Sequence, residues 1–184
     1  MTETPKYIVE LKHKELELRR YPAMLQAEVT TSGSNYRNAA ERGFRVLASY
    51  IFGNNRANRN IEMTTPVNAI RSEKIAMTSP VTITGDSEYT VAFIMPASYT
   101  IDNLPIPNDQ RVNIRSVDQH LTAAIRFNGY FNEEKIRHNR NRLTDWISSI
   151  GYSVAGEYIV AGYNPPWVPG FFARNEVMVN VVKQ

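Results

Sequence analysis

The chain has 184 residues, 42% of them hydrophobic and 21% charged, a balance that suits one globular domain able to bury a core. It contains no cysteine, which excludes disulfides, thiolate metal sites, iron–sulfur clusters, a cysteine nucleophile and covalent c-type haem attachment. Twenty-one Lys and Arg against 18 Asp and Glu leave a formal charge of +3. The densest basic stretch, Arg137–Arg142 after Glu133 and Glu134, reads mainly as a solvated helix face, so no nucleic-acid partner is expected.

No apolar run approaches the roughly 18 residues of a membrane span. Met1–Lys6 shows no charged region followed by an apolar one. A cytoplasmic monomer without stable membrane insertion is the expectation.

Leu16–Tyr21 alternates weakly and Pro22 punctuates it. Met24–Thr31 alternates again, with Leu25, Ala27 and Val29 on one face, so a hairpin of two adjacent strands is predicted. Ser32-Gly33-Ser34 offers turn and cap chemistry. Tyr36, Ala39, Ala40, Gly43, Phe44, Leu47, Tyr50 and Ile51 then recur at helical spacing, and Gly53 is placed to end the helix. Ile75–Thr84 and Tyr89–Met95 read as further strands, and Asp102–Asp109, with Pro105 and Pro107, as a connection.

The plan then recurs. Val112–Val117 and Leu121–Phe127 are strands about the turn Asp118-Gln119. Asn132 is an N-cap, with Glu133 and Glu134 in the first turn where the helix dipole favours them. Ile136, Leu143, Trp146, Ile147 and Ile150 form an apolar stripe closed by Gly151, and Glu157–Tyr163 and Glu176–Val182 are strands. The expectation is a single α+β domain over 1–184, a pseudo-two-fold duplication of a βαββ unit with halves at 7–105 and 111–184. A cavity between the halves is then the natural ligand site. Extending the second stripe back from Leu143 lands on Asn139 and Arg140. Either these are solvent-exposed, or Arg140 borders a cavity and meets a ligand carboxylate.

No dinucleotide, P-loop, zinc-protease or nucleophile-elbow motif is present, and no histidine has a second ligand at a recognised spacing. No catalytic or metal-ligating residue is nominated. The sequence does duplicate a phrase, Ile61-Glu-Met-Thr-Thr-Pro-Val67 and Ile75-Ala-Met-Thr-Ser-Pro-Val81. Proline holds each copy extended, so Met63 and Met77 either fill core or meet a ligand as adaptable contacts. Ala161–Met178 packs Tyr163, Trp167, Phe171 and Phe172 into a proline-stiffened stretch, an aromatic lid or a plug. Glu176 sits between the loop and an apolar strand, where a buried carboxylate needs a partner; Arg174 is nearest in sequence.

These phrases together carry a resemblance. Arg19-Arg20-Tyr21-Pro22-Ala23, Gly43-Phe44 with Leu47 and Tyr50-Ile51, the two Met-Thr-(Thr/Ser)-Pro-Val copies, Met95-Pro96, Tyr163-Asn164-Pro165-Pro166 and Arg174-Asn175-Glu176-Val177 resemble the SOUL haem-binding family from about Tyr7 to Val182. The resemblance implies a distorted antiparallel β-barrel with two helices. It also implies non-covalent haem or tetrapyrrole binding through an apolar surface near the first helix, by a carrier or buffer rather than an enzyme.

Some animal members have a histidine, proposed as an iron ligand, in the strand position of Arg20. A guanidinium stays protonated and offers no lone pair, so weak or absent axial ligation is expected, and His13, seven residues away, does not inherit the role. The nominated contact residues are Phe44, Leu47, Met63, Met77, Arg140, Tyr163, Trp167 and Glu176. The architecture also resembles GyrI-like small-molecule binders and the effector domains of multidrug regulators. There a groove glutamate meets cationic aromatic ligands and some relatives are hydrolases; Glu176 is the candidate for that position. A pure interaction module built on the proline and aromatic loop is the third reading.

Overall fold

The computed structural model describes residues 4–57, 72–85, 88–129, 132–163 and 173–184. Met63, Trp167, the first Met-Thr-Thr-Pro-Val copy and the proline-rich loop lie outside these. In chain order the elements are β1 (Ile8–His13), β2 (Leu16–Tyr21), β3 (Met24–Ser32), α1 (Tyr36–Ile51), β4 (Asn55–Arg56), β5 (Val81–Thr84), β6 (Glu88–Ile94) and β7 (Ile106–Pro107). They continue with β8 (Asn113–Val117), β9 (His120–Asn128), α2 (Glu133–Ser149), β10 (Tyr152–Val154), β11 (Ile159–Gly162) and β12 (Arg174–Lys183). Among the described residues, no helix is long and apolar enough to cross a membrane.

One large antiparallel sheet follows the path β1-β2-β9-β12-β11-β5-β6-β3-β8, with β10 added on β12 and a separate β4–β7 pair. The α+β class with two helices is as expected. The expected distorted barrel does not close: the path has two ends, β1 and β8, and no pairing among the described residues joins them.

The predicted hairpins need a second correction. β2 and β3 both form, but β2 pairs with β1 and β9, and β3 pairs with β6 and β8. β8 and β9 likewise part company, β9 lying between β2 and β12. The links explain this. Two-residue hairpin turns favour glycine or asparagine at positive φ, and neither Pro22-Ala23 nor Asp118-Gln119 supplies it. Each link instead carries the chain across to the other half of the sheet. The short β1, β4, β7 and β10 have no clear alternation and escape a sequence reading; β7 lies inside the stretch read as a bare connection.

Both helices cover the same face of the sheet. From α1, Ala39, Leu47, Tyr50 and Ile51 pack on Leu25, Ala27, Val29, Ile83, Val91 and Phe93. From α2, Ile136, Leu143 and Ile147 pack on Leu16, Leu18, Ala123, Ile125, Val160, Val177 and Val179. A Cβ at Gly43 would stand 2.5 Å from Val91 Cβ, so glycine lets the α1 backbone approach β6.

The α1 cap is Asn35, whose side chain accepts from the Asn38 amide at 3.0 Å, three residues past the first of the cap candidates. An asparagine there satisfies the first-turn amide directly and leaves Ser34 Oγ to accept from Asn38 Nδ2 at 2.7 Å. Asn132 caps α2 as predicted, accepting from Glu134 N at 2.8 Å. Tyr50 donates its hydroxyl to Pro105 O at 2.6 Å, tying α1 to the connection between halves.

Candidate functional site

Strand alternation sends the even residues of β3, β6, β9 and β12 to the face that carries no helix. On this face Glu176 is fully buried. Arg19 grips it with two hydrogen bonds, Nη1 to Oε2 at 2.7 Å and Nη2 to Oε1 at 2.9 Å. Arg174 Nη2 donates to Oε1 at 2.8 Å and the Tyr163 hydroxyl to Oε2 at 2.6 Å. Arg19, itself 2% exposed, also donates from Nε to Glu17 at 2.9 Å. Its guanidinium lies 4.4 Å above the Tyr7 ring, Tyr7 packs at 5.1 Å on Tyr21, and Tyr21 stacks at 5.5 Å on His120.

Burial alone pushes the Glu176 carboxyl upward. The hydrogen bonds and charge of Arg19, joined by those of Arg174 and Tyr163, outweigh it and hold the group below the usual carboxylate value. Burial raises Tyr163 and takes Tyr21 to about 12, against the opposing charge of Arg19 on Tyr21. The cluster is an ion-pair network whose buried acceptors are already satisfied.

Two cavities adjoin this face. The sheet curls so that β2, β3, β5, β6, β8, β9, β11 and β12 all contribute to a chamber of about 120 Å³ of mixed lining, with Glu28, Thr82, Arg115, His120 and Asn180 beside Met24, Ile94 and Met178. A larger groove of about 490 Å³ lies at the ends of β3 and β6, walled by Pro22, Leu25, Met95, Pro96, Tyr99 and Ile101 among others. Pro5, Met24 and Ile94 line both.

The nominated residues fall on three separate surfaces. Phe44 and Met77 are half-buried against the first core cluster and Leu47 lies fully inside it; Phe44 meets Phe93 edge-on at 5.4 Å. Tyr163 and Glu176 join on the helix-free face. Arg140 lies on α2, 4.5 Å over the Tyr158 ring, and lines neither cavity. Asn139, expected beside it at the surface or a cavity rim, is buried and donates to Lys135 O at 2.8 Å.

Arg174 is a Glu176 partner, as its position in sequence suggests. The main partner, Arg19, went unread, though a signal exists: consecutive arginines in an alternating strand must occupy opposite faces. Arg20 takes the face that carries Leu16 and Leu18, where it is half-exposed and paired with Glu10 at 2.6 Å. Among the described residues, no group of three or more His, Asp or Glu side chains is placed to hold a metal ion.

Comparison with known proteins places these features in context. The family model described as SOUL heme-binding protein matches residues 2–180. Heme-binding protein 1 of Xenopus laevis is 27% identical over 164 residues, covering 88% of this chain and 80% of that protein. Its counterpart in Xenopus tropicalis is 25% identical over 162 residues, with the same coverage. Among solved structures, the C-terminal domain of EcmrR is similar with a TM-score of 0.67 at 9% identity, covering 92% of this chain and 98% of that one. A hydrolase from Listeria innocua is similar with a TM-score of 0.57 at 11% identity, covering 94% of each chain. These two likenesses concern the fold.

Proposed function

Because the chain belongs to the SOUL heme-binding protein family, we propose that it binds haem or a related tetrapyrrole in the groove of about 490 Å³, as a carrier or buffer rather than an enzyme. The observation that carries this reading is the groove's combination of size and lining. Its volume falls within the roughly 300–1,000 Å³ of small-molecule sites, and Pro22, Leu25, Met95, Pro96, Tyr99 and Ile101 give it apolar walls. Leu25, Met95 and Tyr99 belong to or pack on the cluster that holds Phe44, Leu47 and Met77. The groove therefore shares side chains with the core on which the first helix packs.

The lining fits the macrocycle better than its iron. It contains no histidine; Met24, Met95 and Tyr99 are the side chains with a sulfur or phenol oxygen to offer. When bound, haem supplies a flat aromatic surface and two carboxylates. The chain supplies apolar walls for the first, and the second calls for a cation. Binding by shape and apolar contact, with weak axial ligation, follows. We also read the matched strand order on either side of the β5–β11 junction as an internal duplication.

The GyrI-like reading has the fold likeness on its side and Glu176 on the helix-free face. There, however, the carboxylate already holds two guanidinium groups and a phenol, which a cationic ligand must displace.

Titration of the purified chain with haem, followed by the Soret band and by quenching of Trp146 and Trp167, tests the proposal. A saturable one-to-one complex that Ile101→Asp weakens supports it. Binding no tighter than to an unrelated basic protein rejects it. A cationic dye that binds tightly and is lost in Glu176→Gln favours the second reading.

A further inference from the structure

The groove and the chamber share three walls, Pro5, Met24 and Ile94. Met24 and Ile94 belong to the sheet. Pro5 belongs to the segment ahead of β1, which lies against the sheet through the Tyr7 ring and an exposed 3.4 Å contact between Thr4 Oγ1 and Ser79 Oγ. The boundary between the cavities is therefore partly one proline ring.

The two spaces differ in chemistry. The groove is walled mainly by apolar side chains, whereas the chamber adds Arg115, Glu28, Gln26, His120, Asn180 and threonine hydroxyls to a lining that is otherwise apolar. Arg115 stands on β8, at the end of the sheet. Its Nε donates to Glu28 Oε2 at 3.0 Å and its Nη2 to Gln26 Oε1 at 3.1 Å. Those bonds use two of the five N–H groups of a guanidinium. The side chain is 56% exposed, so its outer edge is within reach of a ligand in the joined space.

The titratable and charged groups that line the chamber with Arg115 are Glu28 on β3, His120 on β9 and Tyr21 on β2. The ring of His120 is anchored through Nδ1 at 2.7 Å from Asp118 O. Glu28 is matched by Arg115 itself, so a second carboxylate meets an ion pair rather than a lone negative charge.

From this juxtaposition we infer that the groove and chamber form one amphipathic site, in which an apolar ligand body lies in the groove and a carboxylate arm passes Pro5 to Arg115. The inference rests on the proposed groove reading and extends it: the ligand class becomes a flat apolar acid, held in one orientation. A bidentate guanidinium–carboxylate contact supplies the specificity, because its fork geometry matches a carboxylate and little else in such a ligand.

The test compares protoporphyrin IX with its dimethyl ester, the same macrocycle with both acids capped, by fluorescence titration of the full chain. The wild-type chain prefers the diacid by roughly tenfold or more, the scale of one hydrogen bond to a charged group. Arg115→Gln, a change at an exposed position, removes that preference and leaves the ester's affinity within about twofold. Lys6→Gln keeps the preference, which separates a specific contact from general positive charge.

Equal binding of acid and ester by wild type, or an unchanged preference in Arg115→Gln, overturns the inference while leaving the groove reading in place. Equal loss of preference in Lys6→Gln and Arg115→Gln also overturns it. Failure of both porphyrins to bind overturns the groove reading, and the inference with it.

Discussion

Arg19 and Glu176 stand 157 residues apart in sequence and meet through two hydrogen bonds of 2.7 and 2.9 Å, both side chains excluded from water. Breaking a buried pair by removing one partner leaves the other charge without compensation, at a cost of about 3–5 kcal/mol. Glu176→Gln is expected to lose stability on that scale in urea unfolding. Replacing both partners together, as in Arg19→Met with Glu176→Met, is expected to cost much less than the sum of the single changes. Strict additivity of the two single changes is the result that would remove the pair from this role.

The same pair contributes to the acid limit of stability. The folded Glu176 carboxyl titrates below its ordinary value of 4.5, so the unfolded chain takes up the proton first as pH falls. Its contribution is complete above the ordinary carboxylate range and drains away as pH drops through that range toward the lower folded value. At the alkaline end, burial takes Tyr21 from 10.0 to about 12 against the charge of Arg19. Its contribution is whole below pH 10 and is lost as pH rises toward 12. Urea midpoints across pH are expected to plateau between these limbs, with Glu176→Gln making the acid limb shallower and Tyr21→Phe the alkaline one, to which Tyr163 and Tyr50, both raised by burial, also contribute.

Gly43 marks the contact between the first helix and its sheet. A methyl group there would stand 2.5 Å from both Cβ and Cγ2 of Val91, so Gly43→Ala forces α1 outward and is expected to destabilise by about 1–3 kcal/mol. Val91→Ala in the same chain should restore part of the loss, since it removes the atoms in conflict. Thermal unfolding of the two single variants and the double variant measures this directly.

The proposed haem groove separates residues that sequence reasoning alone groups together. Tyr99→Ala and Ile101→Asp are expected to weaken haem by roughly tenfold, the equivalent of one lost apolar contact of about 1.5 kcal/mol. Arg140→Ala is expected to leave affinity unchanged, because that guanidinium lies over Tyr158 on α2 and lines neither cavity. A haem titration in which only Arg140→Ala had an effect would move the site to α2.

Much of this architecture is legible in the residues. The periodic run Ala39–Ile51 and the cap Asn132 specify helices because helical spacing and N-cap chemistry are local properties. Alternation in Met24–Thr31 likewise assigns one face to the core. What alternation does not encode is the neighbour. Leu16–Tyr21 shows which side chains point inward, yet nothing in it says that the adjacent strand is β9 rather than β3. Arg19 was missed for a related reason: its partner arrives from β12, and only the assembled sheet brings the two together. Asn139 illustrates the opposite failure. It breaks the apolar stripe of α2, yet it is buried, because its side-chain amide is satisfied by the Lys135 carbonyl one turn back.

The crossing of β2 and β8 into opposite halves has a kinetic consequence. Leu16 pairs with Ile125, and Met24 with Val117, so contacts that complete each half join residues far apart in the chain. Their loop-closure entropy must be met before much of the sheet can pair. The chain therefore has a high contact order and should fold slowly as one cooperative unit. A fragment covering residues 7–105 lacks the β8 edge of its own sheet, and a fragment covering 111–184 lacks β2. Neither should be stable alone, whereas mixing the two should regenerate the native sheet.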